Sequence, residues 1–151
     1  METNKVDIRN VSFAYRDGAS LQNVSLSVPE GRCILLCGES GCGKTTITKL
    51  INGLIPHFIK GDHLEGTILI DDVSVADTKM YELADIVGSV FQNPKSQFFY
   101  LDTDSELSFV LENRGMPGTQ IARRVEEVTS QLEIGDLIHR SVFALSGGEK
   151  Q

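Results

Sequence analysis

GESGCGKT, Gly38 to Thr45, is the stretch on which the reading of the chain turns. It satisfies GxxxxGK[ST], follows the apolar run CILLC (33–37) and precedes ITKLINGL (47–54), where Ile47, Leu50, Ile51 and Leu54 recur at helical spacing. Strand, glycine-rich loop and helix in that order make an anion site for a physical reason. Gly38, Gly41 and Gly43 can take backbone angles closed to other residues, so successive N–H groups turn inward at a helix N-terminus. Lys44 sets a cation against the β and γ phosphates of a nucleotide, the Thr45 hydroxyl can ligate Mg2+, and Thr46 can add a donor near the α phosphate. Glu39, Ser40 and Cys42 fill the other positions of the nucleotide-binding segment 38–46, with the Cys42 side chain expected to point away from the ligand. A glycine-rich turn holding Lys and Thr by chance leaves the flanking strand and helix unexplained.

Outward from this loop the chain reads as α/β. CILLC is apolar on both faces, as expected of a strand buried in the middle of a sheet. Before it, the alternation in VDIRNVSFAY (6–15) and in LQNVSLSV (21–28), separated by the turn residues Asp17 and Gly18, predicts two antiparallel strands. After it, GTILIDDVSV (66–75) predicts a strand, MYELADIVG (80–88) a short helix, and SVFQ (89–92) a strand ending at Asn93 and Pro94. DSELSFVLENRG (104–115) and TQIARRVEEVTSQLEI (119–134) are helical in pattern. In the second, Ile121, Val125, Val128 and Leu132 form an apolar stripe, with Thr119 as N-cap.

Bulk properties narrow the function classes. With 151 residues, 40% of them hydrophobic and 23% charged, the chain can bury a core. The net charge of −7 has the wrong sign for a surface that neutralises many phosphates, so no nucleic-acid partner is expected. The sequence shows no apolar run long enough to span a bilayer, and its N-terminus lacks the pattern of a secretory signal, so a cytoplasmic protein is expected. Cys33, Cys37 and Cys42 are an odd set without paired CxxC spacing, which predicts reduced thiols. His57 and His63 are poorly spaced for a metal and read as solvated loop residues.

A phosphate loop alone names no function, and a second acidic ligand for Mg2+ is needed. Asp71, in the run ILIDD, is the obvious candidate; with it the chain would be a compact P-loop kinase or regulatory nucleotide-binding protein. The other reading starts from LSGGEKQ (145–151), which resembles the signature of ATP-binding cassette (ABC) ATPases. Gln92 at the end of SVFQ resembles their Q-loop glutamine, and Tyr15 in FAY resembles the residue that stacks on adenine. These markers and the phosphate loop stand in family order over essentially the whole chain.

The resemblance implies the N-terminal part of one ABC ATPase domain: a P-loop core with an antiparallel β region (1–92), a Q-loop and helical segment (92–145), and the signature (145–151). It implies Mg2+ as cofactor and ATP as substrate. Lys44 and Gln92 then contribute to catalysis, Thr45 and Gln92 face Mg2+, and Tyr15 stacks on the base. Ser146, Gly147, Gly148 and Glu149 face the ATP held by a second ATPase subunit, homo- or heterodimeric. Asp71 and Asp72 fall in a turn and ligate no metal. A transmembrane transporter subunit would hold the protein peripherally on the inner face of the cell membrane. FQNPKSQFF and LENRGMP resemble the ATPases of energy-coupling-factor (ECF) and cobalt-type importers of vitamins and metal ions; Asp72 and Glu149 depart from the usual Gly and Gln. The metal-binding Asp, catalytic Glu and switch His of the family would follow Gln151, so the chain is expected to be C-terminally truncated and to bind nucleotide without turning it over.

Overall fold

The computed structural model describes residues 4–18, 20–91, 93 and 97–150. The chain divides into two compact units, residues 1–89 and 90–151.

The first unit is built on β1 (Asn4–Ala14), β2 (Ser20–Pro29), β3 (His63–Ile70) and β4 (Val73–Ser74), an antiparallel sheet in the order β2-β1-β3-β4. The apolar residues of β1 change parity along the strand: Val6 and Ile8 are even, Val11 and Phe13 odd. A strand of strict period two would put one pair on the wrong face. The structure resolves this with bulges between Ile8 and Val11, where Asn10 takes φ 50° opposite a kink at Asn23 with φ 49°. Ser25 Oγ accepts from the Asn10 amide at 3.0 Å, and Ser12 Oγ from the Asn23 amide at 2.9 Å, so amides displaced from the ladder still find acceptors. Gly66 on β3 faces the bulge; a Cβ there would come within 2.6 Å of the Arg9 and Asn10 carbonyl oxygens, so only glycine fits.

With parity restored, Ile8, Val11 and Phe13 are buried beside Ile68, Ile70 and Val75. Helix α1 (Lys44–Ile51) lays Leu50 into this core, and Ile47 and Ile51 pack at its margin. Gly53, with φ 77°, stops the helix, and Leu54 opens a separate short turn, α2 (Leu54–His57). Residues 66–75 form a hairpin rather than one strand: Ile70 pairs with Val73 across Asp71 and Asp72, both at positive φ. Helix α3 (Met80–Leu83) buries Leu83. His57 is half-buried, its Nε2 2.9 Å from the Val75 carbonyl oxygen, and is not the solvated loop residue expected; His63 is exposed, as expected, but opens β3 beside Glu65 instead of standing in a loop.

Among the described residues two predicted strands are absent. Residues 33–37 join no ladder, and Ile34 and Leu35 are 45% and 83% exposed. A run apolar on both faces belongs to a strand flanked on both sides, and no strand stands beside it among the described residues. Ser89, Val90 and Phe91 likewise join no ladder, and Gln92 lies outside the described residues.

The second unit pairs α4 (Thr103–Asn113) with α5 (Gly118–Gln131). Asp102 caps α4, accepting from the Ser105 amide at 2.8 Å. Residues 137–142 run against the start of α4: Thr103 Oγ1 donates to the Leu137 carbonyl at 2.9 Å, and Asp102 bridges Ser141. Helix α5 begins at Gly118 with Pro117 before it, not with a Thr119 cap, because proline's fixed φ suits a helix start where its missing N–H is no loss. Its apolar stripe is shorter than predicted. Ile121 is buried, but Leu132 caps the last turn at 63% exposure. Thr129 is buried instead, its hydroxyl donating to the Val125 carbonyl at 2.8 Å.

Candidate nucleotide site

In the first unit the loop 38–43 leads straight into α1. Gly43 holds the junction in a left-handed conformation, φ 97°, and a Cβ there would collide with Leu21 Cδ2. Leu21 is itself buried on β2, so the loop is seated on the sheet by a contact that only glycine permits. No side chain caps α1, and its first turn holds no acidic residue. The donor end of the helix is therefore open to an anion, with the helix dipole in its favour.

Lys44 folds back over the loop. Its Nζ donates to the Gly38 carbonyl at 2.8 Å and the Glu39 carbonyl at 2.7 Å, with Cys42 Sγ at 3.4 Å. The Cys42 sulfur thus lies against the loop cation. This donor set fits a polyphosphate: an ammonium on a flexible stem, an uncapped helix N-terminus, and the Thr45 side chain exposed on the first turn.

Tyr15 stands immediately after β1, half-buried. Phe13 meets it edge-on, with ring centroids 4.7 Å apart and planes at 84°. Its hydroxyl lies 3.3 Å from Thr46 Oγ1, and Lys49 Nζ stands over the ring, 5.8 Å from the centroid. Tyr15 and Thr46, read separately from the sequence, are therefore in direct contact. The Thr46 hydroxyl is engaged by a tyrosine, and the tyrosine is held by more than its ring. No motif singles out Lys49; its only sequence signal is the i,i+3 relation that puts it on the Thr46 face of α1.

Ser146 to Glu149 lie in the second unit, in a turn following the buried Leu145. The Ser146 amide donates to Glu149 Oε2 at 2.6 Å, and the Glu149 amide donates to Ser146 Oγ at 3.4 Å, a reciprocal capping box. The Ser146 hydroxyl, then the Ser146 amide, then the charge of Arg140 hold the Glu149 carboxyl below its usual range. Two amides that an unpaired cap would present are thus already occupied, while Gly147 and Gly148 are exposed.

Asp71 is not poised for a metal. It sits in the β3–β4 turn, where Lys5 Nζ approaches its Oδ1 at 2.7 Å, and its amide donates to the Lys5 carbonyl. Among the described residues no group of three or more His, Cys, Asp or Glu side chains could hold a metal ion, and no helix is long and apolar enough to cross a membrane.

An uncapped helix behind a glycine loop and lysine, beside an antiparallel sheet, defines a P-loop nucleotide-binding domain. Comparison with known proteins is specific. A family model described as "ABC transporter" matches residues 21–151. A protein of Treponema denticola named as an ABC transporter ATP-binding protein is 52% identical over 148 residues, 97% of this chain and 30% of that protein. The energy-coupling factor transporter ATP-binding protein EcfA1 of Lactobacillus gasseri is 35% identical over 153 residues, 100% of this chain and 53% of that protein. The solved structure of cbiO1 from Clostridium perfringens, described as part of the ABC transporter complex cbiONQ, matches with a TM-score of 0.83 and 26% identity over 99% of this chain and 58% of that one. The chain belongs to the ABC transporter family, as part of an ATP-binding domain with the ABC ATPase fold. Such domains are ATPases that use ATP with Mg2+. The chain spans about a third of the length of the Treponema relative.

Proposed function

We propose that this chain is the nucleotide-binding part of an ATPase subunit that drives an importer of the ECF or cobalt type. The observation that carries the reading is the cradle itself: an uncapped α1 N-terminus with the Lys44 ammonium folded over the loop. ATP enters by exchange, its β and γ phosphates taking the Lys44 donors now spent on the Gly38 and Glu39 carbonyls. Thr45 would hold Mg2+, which when bound neutralises phosphate charge. Tyr15 offers its ring to the adenine, and Gln92 couples the site to the membrane partner. The capping box at Ser146 faces ATP held by a second ATPase subunit, and a separate transmembrane subunit carries the vitamin or metal ion.

The importer type is supported by FQNPKSQFF and LENRGMP, by the 35% identity to EcfA1 and by the likeness to cbiO1. The 151 residues by themselves bind nucleotide without turning it over. Support for that is chemical: the Asp71 carboxylate is taken up by Lys5 and is not free for a metal, and loss of one transition-state group alone lowers rates by about 10² to 10³.

The test is calorimetry of Mg·ATP binding to the parent and to Lys44→Ala. Losing a charge-assisted phosphate contact, offset in part by the carbonyl bonds Lys44 no longer gives up, weakens binding about ten-fold. Equal affinities would remove the reading. Co-purification with a transmembrane subunit tests the importer assignment separately.

A further inference from the structure

We propose that Lys49 is a positioning residue for the base of the bound nucleotide, acting through the Tyr15 ring; the inference rests on the nucleotide reading above. Lys49 is half-buried, one helical turn after Thr46 on the same face of α1, and both residues touch Tyr15. Among the described residues no carboxylate stands within ion-pair distance of Lys49, so the ring is what its ammonium faces. A half-buried cation needs a partner, and an aromatic face within about 6 Å supplies one through its quadrupole.

Three contacts fix the tyrosine. Phe13, fully buried in the sheet core, abuts it edge-on; Thr46 holds the hydroxyl; Lys49 covers a face. The base then stacks on the face opposite Lys49. Because Thr46 and Lys49 both belong to α1, the base platform is attached to the helix whose N-terminus takes the phosphates. The two ends of the nucleotide are read by one rigid element.

A lysine near a polyphosphate site could act on the phosphates directly, and the experiment separates the two roles. Calorimetry on the 151-residue chain compares Mg·ATP with Mg·tripolyphosphate, which has the phosphates and no base. The chain is used as parent, Lys49→Gln, Lys49→Arg, Tyr15→Ala and the Lys49→Gln/Tyr15→Ala double variant, each checked for folding by circular dichroism. Lys49→Gln is expected to weaken ATP binding about two- to five-fold, the size of an exposed to partly buried cation–π contact, and to leave tripolyphosphate within two-fold. Lys49→Arg retains ATP affinity, and in the Tyr15→Ala background Lys49→Gln has no further effect. Tripolyphosphate weakened as much as ATP overturns the proposal, and so does ATP binding that is unchanged or tightened in Lys49→Gln. If Tyr15→Ala itself leaves ATP affinity intact, the base-stacking role of Tyr15 falls first and Lys49 with it, whereas loss of all binding in Lys44→Ala but none in Lys49→Gln leaves the nucleotide site standing without the positioning residue.

Discussion

Gly43→Ala tests the seating of the phosphate loop on the sheet. Two separate penalties arise from one methyl group. The residue is held at φ 97°, where an L-residue is strained by about 1–2 kcal/mol. The new Cβ also runs into Leu21 Cδ2, and forcing a methyl into a packed site costs about 1–3 kcal/mol. Together the loss is about 2–5 kcal/mol, a large part of the stability of a unit this size. Leu21→Ala alone opens a cavity at a side chain 7% exposed and is expected to lose about 2–4 kcal/mol. In the double variant each change relieves the other, since the added methyl occupies part of the space the leucine leaves. The cycle should therefore show a coupling of about 1–2 kcal/mol in the favourable direction, with the backbone strain remaining. Amide hydrogen exchange of β1 and β3 is the assay, because those strands belong to the first unit alone. Additive losses would show that Leu21 does not press on the loop, and a Gly43→Ala chain as stable as the parent would refute the backbone argument as well.

Other outcomes follow from single contacts. The Glu149 carboxyl is held below its usual 4.5 by Ser146, so the capping box is fully formed above that value and is lost as pH falls through the depressed one. The Ser146 amide resonance should report the loss only in acid; an amide unchanged between pH 6 and pH 3 would contradict the bond. Asp102 is likewise depressed, chiefly by the Ser105 amide, so Asp102→Ala should speed exchange in the first turn of α4 about five-fold at neutral pH and have less effect below pH 3.8. Asp71→Asn should leave Mg·ATP affinity within two-fold, because its carboxylate serves Lys5; a collapse of Mg2+-dependent binding would return it to the metal site.

The parts of this molecule that were legible in the sequence are those whose physics is local. Gly43, Lys44 and the spacing of Ile47 and Leu50 declare a loop and a helix within a dozen residues, and they fold as read. The capping box was there to be read in Ser146 and Glu149, three apart, though only the folded chain shows that it occupies the Ser146 hydroxyl. Long-range physics was less legible. CILLC has the composition of a central strand, but a strand exists only with its neighbours, and composition carries no information on whether they are present. Alternation in residues 6–15 reads as one plain strand, and the parity change between Ile8 and Val11 takes on meaning only beside Gly66, more than fifty residues on, which faces the bulge. Tyr15, Thr46 and Lys49 meet because β1 and α1 pack on one core, a fact written in no short motif.

The unpaired run at 33–37 bears on how this polypeptide behaves in company. Ile34 and Leu35 expose apolar side chains on a stretch whose amides and carbonyls join no ladder, which is a template for another chain's strand. Glu30 and Arg32 stand just before it and Glu39 just after, charges of the sort that slow edge-to-edge growth without abolishing it. Self-association rising with concentration, and relieved by Leu35→Lys, is the behaviour such a segment confers.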